Sequence, residues 1–517
     1  MKKMLSFVIL LFLYSWIYSE KISIYHTSDV HGMYSSIPAK WDKQNSTRTI
    51  GGFAAVMALI KNDKNPHILL DSGDIFQGTP EGNITKGMAS IEFMNMLGYS
   101  AAVVGNHDYD YGEKALVEMI KAARFPFLGA NVYLIDEPEK NVDYLKPYTI
   151  VNVGKRKIAV LGIAGQHTKT TTLPVNVQHL LFKDEAEETK KWVEEIKKQN
   201  PDAIIIIAHI GIDPSLSQKI VDPSTYTFTN IRHTTIELAR AAGNPTLVFG
   251  GHNHTGLLKG WKDPESGAVI CESYWGLSHI TKAVIDFDDK TGKLISADCN
   301  LIPLWCDEIG EDKVVKKKWN KIYQNVSKWM DKVIGKATKS LTFESQTLDN
   351  PIGNFVTDII RWKASTDIAF QNAGGVRNII NEGDIRLRDV YQIMPFENTI
   401  VKLTMKGKDI YEVIKDNLRN EKTSMYVSGI KVKYRINPEN KPEIVEITKD
   451  NKPIDMEKEY TVATNNYLTS GGSGGGAFRK ASQTIDTFIS VRDAMIEWIT
   501  SKKEINGWET GRFIKIE

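Results

Sequence analysis

The chain has 517 residues, of which 42% are hydrophobic and 25% are charged. This composition is that of an ordinary globular protein, and the length predicts two or three domains. The formal net charge is +2 at pH 7. This near-neutral balance gives no electrostatic reason to expect binding to a nucleic acid polymer, whereas it is compatible with a small substrate.

The N-terminus has the features of a targeting segment. Lys2 and Lys3 precede the apolar run 4–16, and the small residue Ser19 ends the segment. This order is typical of a secretory signal, so we expect residues 1–19 to be removed and the mature protein to be periplasmic or secreted. An uncleaved membrane anchor is the alternative, but the apolar run is short for a span of about 20 residues. No later apolar run suggests a membrane span in the mature chain.

The chain contains three cysteines, Cys271, Cys299 and Cys306. In an exported protein an odd number leaves at least one free thiol. Cys299 and Cys306 are near each other in sequence and are candidates for a bridge, although only geometry decides such a pairing. A zinc site made of thiolates is not expected, because no pair has Cys-x-x-Cys spacing.

Five apolar runs in the first half are each followed by polar side chains. The runs 22–25, 67–70, 101–104, 203–208 and 246–249 are predicted as buried strands. The polar residues that follow them are Asp29, His31, Asp74, Asn106, His209, His252 and His254. One such residue is more often structural than functional. Five repetitions of the pattern indicate a shared site, because active sites of α/β folds lie at strand ends.

Seven oxygen and nitrogen donors are too many for one four-coordinate ion. They fit two cations that share Asp74, because a carboxylate has two oxygens. Two cations about 3.5–4 Å apart can clamp the attacking and leaving oxygens of a phosphoryl displacement, and they lower the pKa of a bound water. The sequence therefore predicts a centre of two divalent metal ions at these strand ends.

The ordered motifs of the first half point to a known family. They are Asp29-Val30-His31, the segment 73–78, Gly105-Asn106-His107-Asp108, Ala208-His209 and Gly251-His252-Asn253-His254. Together they resemble the motifs of the calcineurin-like metallophosphoesterases. The resemblance implies an α/β fold class with a four-layer α/β/β/α sandwich, in which the two-metal centre lies between two packed sheets.

The resemblance also implies a role for each residue. One ion would be held by Asp29, His31, Asp74 and His254. The other would be held by Asp74, Asn106, His209 and His252, and zinc, manganese or cobalt would serve at both positions. His107 would remain uncoordinated and face the phosphate, while Asp110 would orient its ring through a hydrogen bond. The family often has Glu where this chain has Asp108.

A lysine-rich segment separates the two halves. Residues 313–336 carry apolar side chains at three- and four-residue spacing, which predicts an amphipathic helix with its lysines in solvent. We interpret residues 309–336 as a helix that joins a first domain, residues 20–308, to a second domain, residues 337–517.

The second half carries its own polar and aromatic motifs. Asn350 and Pro351 predict the start of a helix. In the segment 372–377, which reads Asn-Ala-Gly-Gly-Val-Arg, adjacent glycines let the backbone approach a ligand and Arg377 offers a planar donor fork to an anion. The glycine-rich run 471–476 is expected to lie near a ligand, with a flexible linker as the alternative.

These motifs are similar to those of the C-terminal substrate-binding domain of secreted 5′-nucleotidases. The resemblance implies an α+β domain in which Phe396 and Tyr467 stack on the base, Arg377 binds the phosphate and Asn372 helps to position the substrate. Ser473 stands where the family usually has an Asp that binds the ribose, and a hydroxyl is a weaker, neutral acceptor. Residues 343–350 also contain no Arg, where the family commonly has a second phosphate-binding one.

These features predict an exported two-metal 5′-nucleotidase that hydrolyses nucleoside 5′-phosphates to nucleoside and phosphate by metal-activated water. A 2′,3′-cyclic nucleotide phosphodiesterase with 3′-nucleotidase activity, or a nucleotide-sugar pyrophosphatase, would use the same metals and is the alternative. A surface binding protein without catalysis is disfavoured, because all seven ligands are present. Monomer and homodimer both stay open.

Overall fold

The first domain is built on two sheets that pack face to face. The computed structural model describes residues 19–39, 42–343, 348, 350–418, 425–472 and 474–516. Most of the predicted targeting segment, residues 1–18, lies outside these residues, as does Ser473. Ser19 is the first residue of a described strand, Ser19–Thr27.

The first sheet has six strands and mixed direction. Ser19–Thr27 pairs in parallel with His67–Asp71 and antiparallel with His279–Asp288. The carboxyl ends of its parallel strands therefore meet at one edge. The spatial order of the strands is Leu294–Pro303, His279–Asp288, Ser19–Thr27, His67–Asp71, Ala101–Val103 and Phe127–Leu128.

The second sheet also has six strands, and its centre is parallel. Ala203–Ala208 lies between Arg156–Ile163 and Leu247–Gly250, and it runs parallel to both. Four consecutive isoleucines suit this position, because a strand covered on both faces needs apolar side chains on both. The spatial order is Trp261–Lys262, Val269–Glu272, Leu247–Gly250, Ala203–Ala208, Arg156–Ile163 and Tyr148–Val153.

Apolar side chains fill three layers of core. Between the sheets, Ile24, Ile207 and Phe249 are fully buried. The outer face of the first sheet is covered by the helices Phe53–Lys61, Met88–Leu97, Glu113–Ala122 and Lys313–Met330. The outer face of the second sheet is covered by the helices Glu185–Lys197 and Thr235–Ala242. The predicted four-layer α/β/β/α arrangement is confirmed.

Shorter elements complete this domain. Its remaining α-helices are Pro80–Ile84, Thr168–Thr171 and Cys306–Ile309. Single 3₁₀ turns occur at His107–Tyr109, Pro174–Asn176, Pro214–Leu216 and Pro223–Thr225. Small two-stranded sheets pair Leu180–Phe182 with Val132–Leu134, Ile220–Val221 with Gly256–Leu257, and Ile37–Pro38 with Thr49–Ile50.

The pairing considered for Cys299 and Cys306 is wrong. Cys299 instead bridges to Cys271, with a sulfur–sulfur distance of 2.21 Å, and Cys306 is free. Cys271 lies on a strand of the second sheet and Cys299 on a strand of the first. Both side chains belong to the core between the sheets, so sheet packing brings together two residues that are distant in sequence.

The predicted linker helix is shorter than expected. It covers Lys313–Met330 and is capped by Asp312, whose side chain accepts hydrogen bonds from two backbone amides of the first turn. Residues 333–336, expected to continue the helix, lie in the strand Val333–Ala337. The β-branched Val333 and Ile334 with Gly335 favour that change, because Gly and β-branched residues are poorer helix formers. Among the described residues, no helix is both long and apolar enough to cross a membrane.

The second domain is an α+β structure, and its described residues form three sheets. A three-stranded sheet has the order Gly383–Arg386, Val333–Ala337 and Glu504–Ile505. A five-stranded sheet has the order Met425–Ser428, Ile368–Asn372, Glu459–Asn465, Thr399–Lys406 and Gln483–Ser490. A four-stranded sheet has the order Lys452–Pro453, Pro442–Lys449, Lys431–Ile436 and Phe513–Lys515.

Helices pack on both sides of the five-stranded sheet. Pro351–Ala364 begins as expected, with Pro351 in its first turn and the Asn350 side chain accepting from Gly353 N at 2.9 Å. The other helices are Leu387–Ile393, Gly407–Leu418, Asn466–Thr469 and Val491–Lys502, with 3₁₀ turns at Ala373–Gly375 and Gly476–Lys480. Two buried clusters, on opposite faces of this sheet, form the core.

Candidate active site

The seven predicted metal ligands come together where the parallel strands of both sheets end. Five of them have left-handed backbone: Asp29 (φ 51°), His31 (φ 48°), Asp74 (φ 59°), His252 (φ 70°) and His254 (φ 55°). This conformation costs a non-glycine residue about 1–2 kcal/mol. The surrounding fold therefore holds these loops in a strained shape that directs their side chains to a common point.

Backbone hydrogen bonds join the ligand-bearing loops. The amides of Asp29 and His31 donate to the carbonyls of Gly73 and Asp74, each at 3.0 Å. The amide of His252 donates to the Asp29 carboxylate at 3.1 Å. The loop before His252 can approach this closely because residue 251 is glycine, where a Cβ would lie 2.3 Å from Ser28 Oγ.

The first cluster of ligand atoms lies around His31. Its Nε2 is 2.9 Å from His254 Nε2 and 4.0 Å from Asp74 Oδ2. His254 Nε2 is 3.6 Å from Asp29 Oδ1. Donors that are each about 2.0–2.2 Å from one zinc ion lie about 3–4 Å from one another, so this spacing fits a single cation.

The second cluster lies around His209. Its Nε2 is 3.1 Å from Asp74 Oδ2 and 3.0 Å from Asn106 Oδ1. His252 Nδ1 is 3.1 Å from the same Asn106 oxygen. Asp74 takes part in both clusters, which is the arrangement expected of a carboxylate shared by two ions.

Outer contacts fix which nitrogen of His31 and of His209 faces the centre. His31 Nδ1 lies 2.7 Å from the carbonyl of Gln77, and His209 Nδ1 lies 2.6 Å from the carbonyl of Ser72. A carbonyl only accepts, so each Nδ1 carries the proton and each Nε2 faces its cluster. This orientation is typical of metal-binding histidines, and the residues present therefore fit two divalent cations.

The charges of the site also favour cations. Burial raises the pKa of Asp29 to about 7, and the charge of Asp74 adds to the increase. Burial acts to lower the pKa of His209, but Asp74 outweighs this and raises it to about 10. In the protein alone a proton is thus held tightly beside Asp74, at the position where a divalent cation would replace it.

His107 stands beside the clusters without joining them. Its Nδ1 is 2.8 Å from Asp110 Oδ2, and the other Asp110 oxygen accepts from Thr172 Oγ1 at 2.8 Å. Its backbone amide donates to Asp74 Oδ1 at 2.8 Å. Burial acts to lower the pKa of His107, but the charges of Asp110 and Asp74 raise it above its ordinary value. The ring is therefore oriented and favours its protonated form.

Asp108, where the family often has Glu, has a structural role. It is 1% exposed, and its carboxylate accepts from the amides of Asp74 (3.1 Å), Ile75 (3.0 Å) and Gly105 (2.7 Å). These contacts join the loop that carries Asp74 to the loop that carries Asn106. Sequence analysis noted this position as a departure but did not predict that role.

A cavity of about 310 Å³ opens from His107 toward the second domain. Among its described lining residues, Arg377 carries the only guanidinium. This group forms no hydrogen bond or ion pair within the described residues, although the charges of Asp74, Asp110 and Asp29 act on it. Burial lowers its pKa. A half-buried guanidinium without a protein partner beside the metal ligands is suited to an anionic ligand.

The two predicted aromatic residues line the same cavity. Phe396 lies with its ring centroid 5.4 Å from that of His107. Tyr467 donates its hydroxyl hydrogen bond to the backbone carbonyl of Thr170, in the first domain. The neighbouring Pro395 carbonyl accepts from Asn83 Nδ2 at 2.8 Å. The domains therefore meet around the cavity, with residues of both on its walls.

Asn372 and Ser473 were also predicted to bind the substrate, and the structure describes only the first of them. Asn372 lines the cavity, and its Oδ1 is fixed by Asn465 Nδ2 at 2.8 Å. Ser473 lies outside the described residues. Gly472, next to it, packs against the ring of Tyr467, where a Cβ would lie 2.4 Å from the ring. That glycine allows the backbone to approach the aromatic ring.

Two residues near the site were missed by sequence analysis. His167 stacks on His252 with ring centroids 3.6 Å apart, and its ring lies within reach of His209. Gln77 is 1% exposed and lines the cavity, and its side-chain amide has no hydrogen-bond partner within the described residues. The signal for His167 was present, because it follows the strand Arg156–Ile163 in the same way as other ligands follow theirs.

Comparisons with known families agree with this geometry. Residues 22–256 match the calcineurin-like phosphoesterase family, and residues 333–481 match the 5′-nucleotidase C-terminal domain. The chain thus combines a calcineurin-like phosphoesterase domain with a 5′-nucleotidase C-terminal domain, as proteins named 5′-nucleotidase do. Its calcineurin-like half makes it a metal-dependent phosphoester hydrolase, as the two clusters of ligand atoms also indicate.

Individual relatives match most of the chain. A snake venom 5′-nucleotidase from Naja atra is 28% identical over 88% of this chain and 91% of its own. The trifunctional nucleotide phosphoesterase protein YfkN of Bacillus subtilis is 27% identical, and the chain spans only 33% of that longer protein. The crystal structure of a 5′-nucleotidase precursor from Thermus thermophilus has a TM-score of 0.82 at 25% identity, covering 96% of this chain and 99% of that one.

Proposed function

We propose that the protein is an exported 5′-nucleotidase that hydrolyses nucleoside 5′-phosphates to nucleoside and phosphate. The observation that carries this proposal is the cavity between the domains. Its walls combine Asn106 and His107 of the first domain with Arg377, Phe396 and Tyr467 of the second. The polar and cationic groups suit a phosphate, and the aromatic rings suit a flat base.

Two divalent cations are the cofactors of this proposal. Asp29, His31 and His254 would hold one, Asn106, His209 and His252 the other, and Asp74 both; zinc, manganese and cobalt suit these mixed oxygen and nitrogen donors. When bound, such a pair lowers the pKa of a water and stabilises negative charge on a phosphoryl group.

The protein's own side chains bind the phosphate and transfer the proton. Arg377 binds the phosphate oxygens with its planar donor fork, which forms no hydrogen bond or ion pair with the described residues. His107 donates a hydrogen bond, and in the transition state a proton, to a phosphate or leaving-group oxygen. Asp110 keeps the other ring nitrogen protonated and the ring in place. Asn372 contacts the substrate beside Arg377.

Recognition of the nucleoside falls to the second domain. Phe396 and Tyr467 hold the base by stacking and burial, which any nucleobase permits because each has a flat apolar face. The hydrogen bond from Tyr467 to Thr170 places its ring when the domains are together. We also propose that Ser473 contributes to the sugar end of the pocket.

Export is part of the proposal. It is supported by the basic and apolar pattern of residues 1–19 and by relatives named as snake venom enzymes. We place the mature protein in the periplasm or outside the cell, starting near Ser19, with domains of residues 20–308 and 337–517 joined through the segment 309–336. Both a monomer and a homodimer are compatible with this arrangement.

A second cavity favours an additional candidate function. It measures about 430 Å³, shares Arg377 and Gln77 with the first cavity, and is lined also by His31 and Trp275. A group esterified to the far side of the phosphate would enter it, where the unpaired amide of Gln77 offers a hydrogen bond. Nucleotide-sugar pyrophosphatase or cyclic phosphodiesterase activity is therefore the second candidate.

A substrate panel tests both functions. Purified protein with added Zn²⁺, Mn²⁺ or Co²⁺ should be compared on AMP, a 3′-nucleotide, a 2′,3′-cyclic nucleotide and a nucleotide sugar. The first proposal expects the highest kcat/KM for the 5′-nucleotide. A preference for the nucleotide sugar would favour the second candidate function over the first. If none of the four substrates is hydrolysed, both proposed functions are contradicted.

A further inference from the structure

We propose that His167 is an additional metal ligand of this chain, completing a set of three histidines with His209 and His252. The inference rests on the proposed two-metal centre and extends it. The three residues offer nitrogen atoms that all lie within 4.8 Å of one another. This limit groups the three imidazoles at one place, where donors about 3–4 Å apart would bind a single ion.

The position of His167 follows from the topology of the second sheet. The strand Arg156–Ile163 runs parallel to Ala203–Ala208, with Ile163 opposite Ala208. The amide of His209 donates to the Ile163 carbonyl at 2.9 Å. Both strands therefore end at the same edge, and the loop that follows Ile163 delivers His167 beside His209.

The His167 ring has contacts that a surface imidazole would lack. It stacks on His252 with an interplanar angle of 24°. Its Nε2 is buried and has no hydrogen-bond partner among the described residues. A buried polar atom without a partner is costly, and a bound cation is one way to satisfy it.

The backbone around His167 is adapted to the ring. At Gly165, a Cβ would lie 2.0 Å from His167 Cε1 and 2.5 Å from Nδ1. Any other residue at 165 would displace the imidazole. The turn that follows His167 also orients Asn106. The Thr171 carbonyl accepts from Asn106 Nδ2 at 3.1 Å, so the Asn106 oxygen faces the cluster.

An extra imidazole makes the two metal positions unequal. The position around His209 then has three histidine nitrogens, whereas the position around His31 has two. Imidazole favours zinc, cobalt and nickel over manganese and magnesium. We infer that the His209 position binds these nitrogen-preferring ions more tightly than the other position does.

Metal affinity measured without any substrate tests this role. Full-length protein stripped of metal is titrated with Zn²⁺ and Co²⁺ against a chromophoric chelator, and bound metal is counted by mass spectrometry. The key variant is His167→Phe, which keeps a ring to stack on His252 but removes the donor. We expect one of the two ions to bind about 10–100-fold more weakly, and the visible spectrum of the Co²⁺ protein to change.

Three further variants make the result decisive. Gly165→Ala leaves His167 in the sequence but displaces its ring, so it should reproduce the loss, and His167→Leu, which also has no donor, serves if His167→Phe has a lowered melting temperature. His179→Phe is the matched control, since His179 is partly exposed and pairs with Glu113. Folded His167 variants that bind both ions as tightly as the wild type would overturn the inference. Fewer than two ions on the wild type would instead contradict the two-metal proposal.

Discussion

The ring of Phe396 in the second domain lies 5.4 Å from the ring of His107 in the first. This contact places a residue proposed to hold the base next to one proposed to act on the phosphate. Neither half of the chain contains both. The arrangement predicts that base recognition and phosphate chemistry can be separated by mutation.

Replacing both Phe396 and Tyr467 by Ala should weaken nucleotide binding by about 1–3 kcal/mol for each lost stacking contact. Hydrolysis of a small phosphate ester without a base should change little. The measurement is kcat/KM for AMP and for such an ester on the variant and the wild type. Equal losses on both substrates would mean that the two rings support the site and do not recognise the base.

Removal of metal should abolish hydrolysis, because the two bound cations are proposed to lower the pKa of the attacking water. Addition of Zn²⁺, Mn²⁺ or Co²⁺ should restore it. Asp74→Asn should be more damaging than His254→Ala, since Asp74 takes part in both clusters. Activity and metal content are measured together on both variants, and full activity of metal-free protein would refute the metal requirement.

His107→Ala should lower kcat by about 10²–10⁴ while leaving the metal content unchanged. The reason is that the ring is oriented toward the cavity by Asp110 and is not part of either cluster. Measuring the metal content and the kinetics of the same variant shows whether His107 acts on the substrate or binds metal. If this variant binds fewer ions than the wild type, His107 is a ligand and its proposed role is wrong.

Asp110→Asn should move the basic limb of the pH profile to lower pH. Burial acts to lower the pKa of His107, and the charges of Asp110 and Asp74 raise it. The ring is protonated below this raised pKa and loses its proton as the pH rises through it. Removing the charge of Asp110 lowers the pKa of His107, so the ring loses its proton at a lower pH. The profile of kcat/KM at saturating metal is compared with that of Asp143→Asn, an exposed control. Superimposable profiles of Asp110→Asn and wild type would contradict this account.

Asp108→Ala should destabilise the first domain and loosen the metal centre. Three backbone amides would lose their buried acceptor, at about 1–3 kcal/mol each. Urea unfolding gives the change in free energy, and metal titration of the same protein gives the change in affinity. Asp108→Asn keeps one acceptor oxygen and should lose less. Wild-type stability in Asp108→Ala would show that these amides find other partners.

The sequence by itself determined the strands and the residues that follow them. Runs such as 203–208 are apolar enough to require burial on both faces, and a polar residue directly after such a run is carried to the sheet edge. The family resemblance extended this reading to a two-domain hydrolase. The start of the helix Pro351–Ala364 was also determined by local sequence, because a capping Asn and a following Pro specify it without contacts from distant residues.

Only the tertiary structure decided which distant residues meet. Cys299 is seven positions from Cys306, yet it bridges to Cys271 because two strands of different sheets face each other in one core. His167 lies beside His252 for the same kind of reason, since parallel strands of one sheet end at the same edge. The helix that begins at Lys313 ends at Met330 because Val333–Ala337 finds partners in a sheet. Local patterns determine elements, whereas contacts between distant segments depend on packing and pairing that no single stretch of sequence contains.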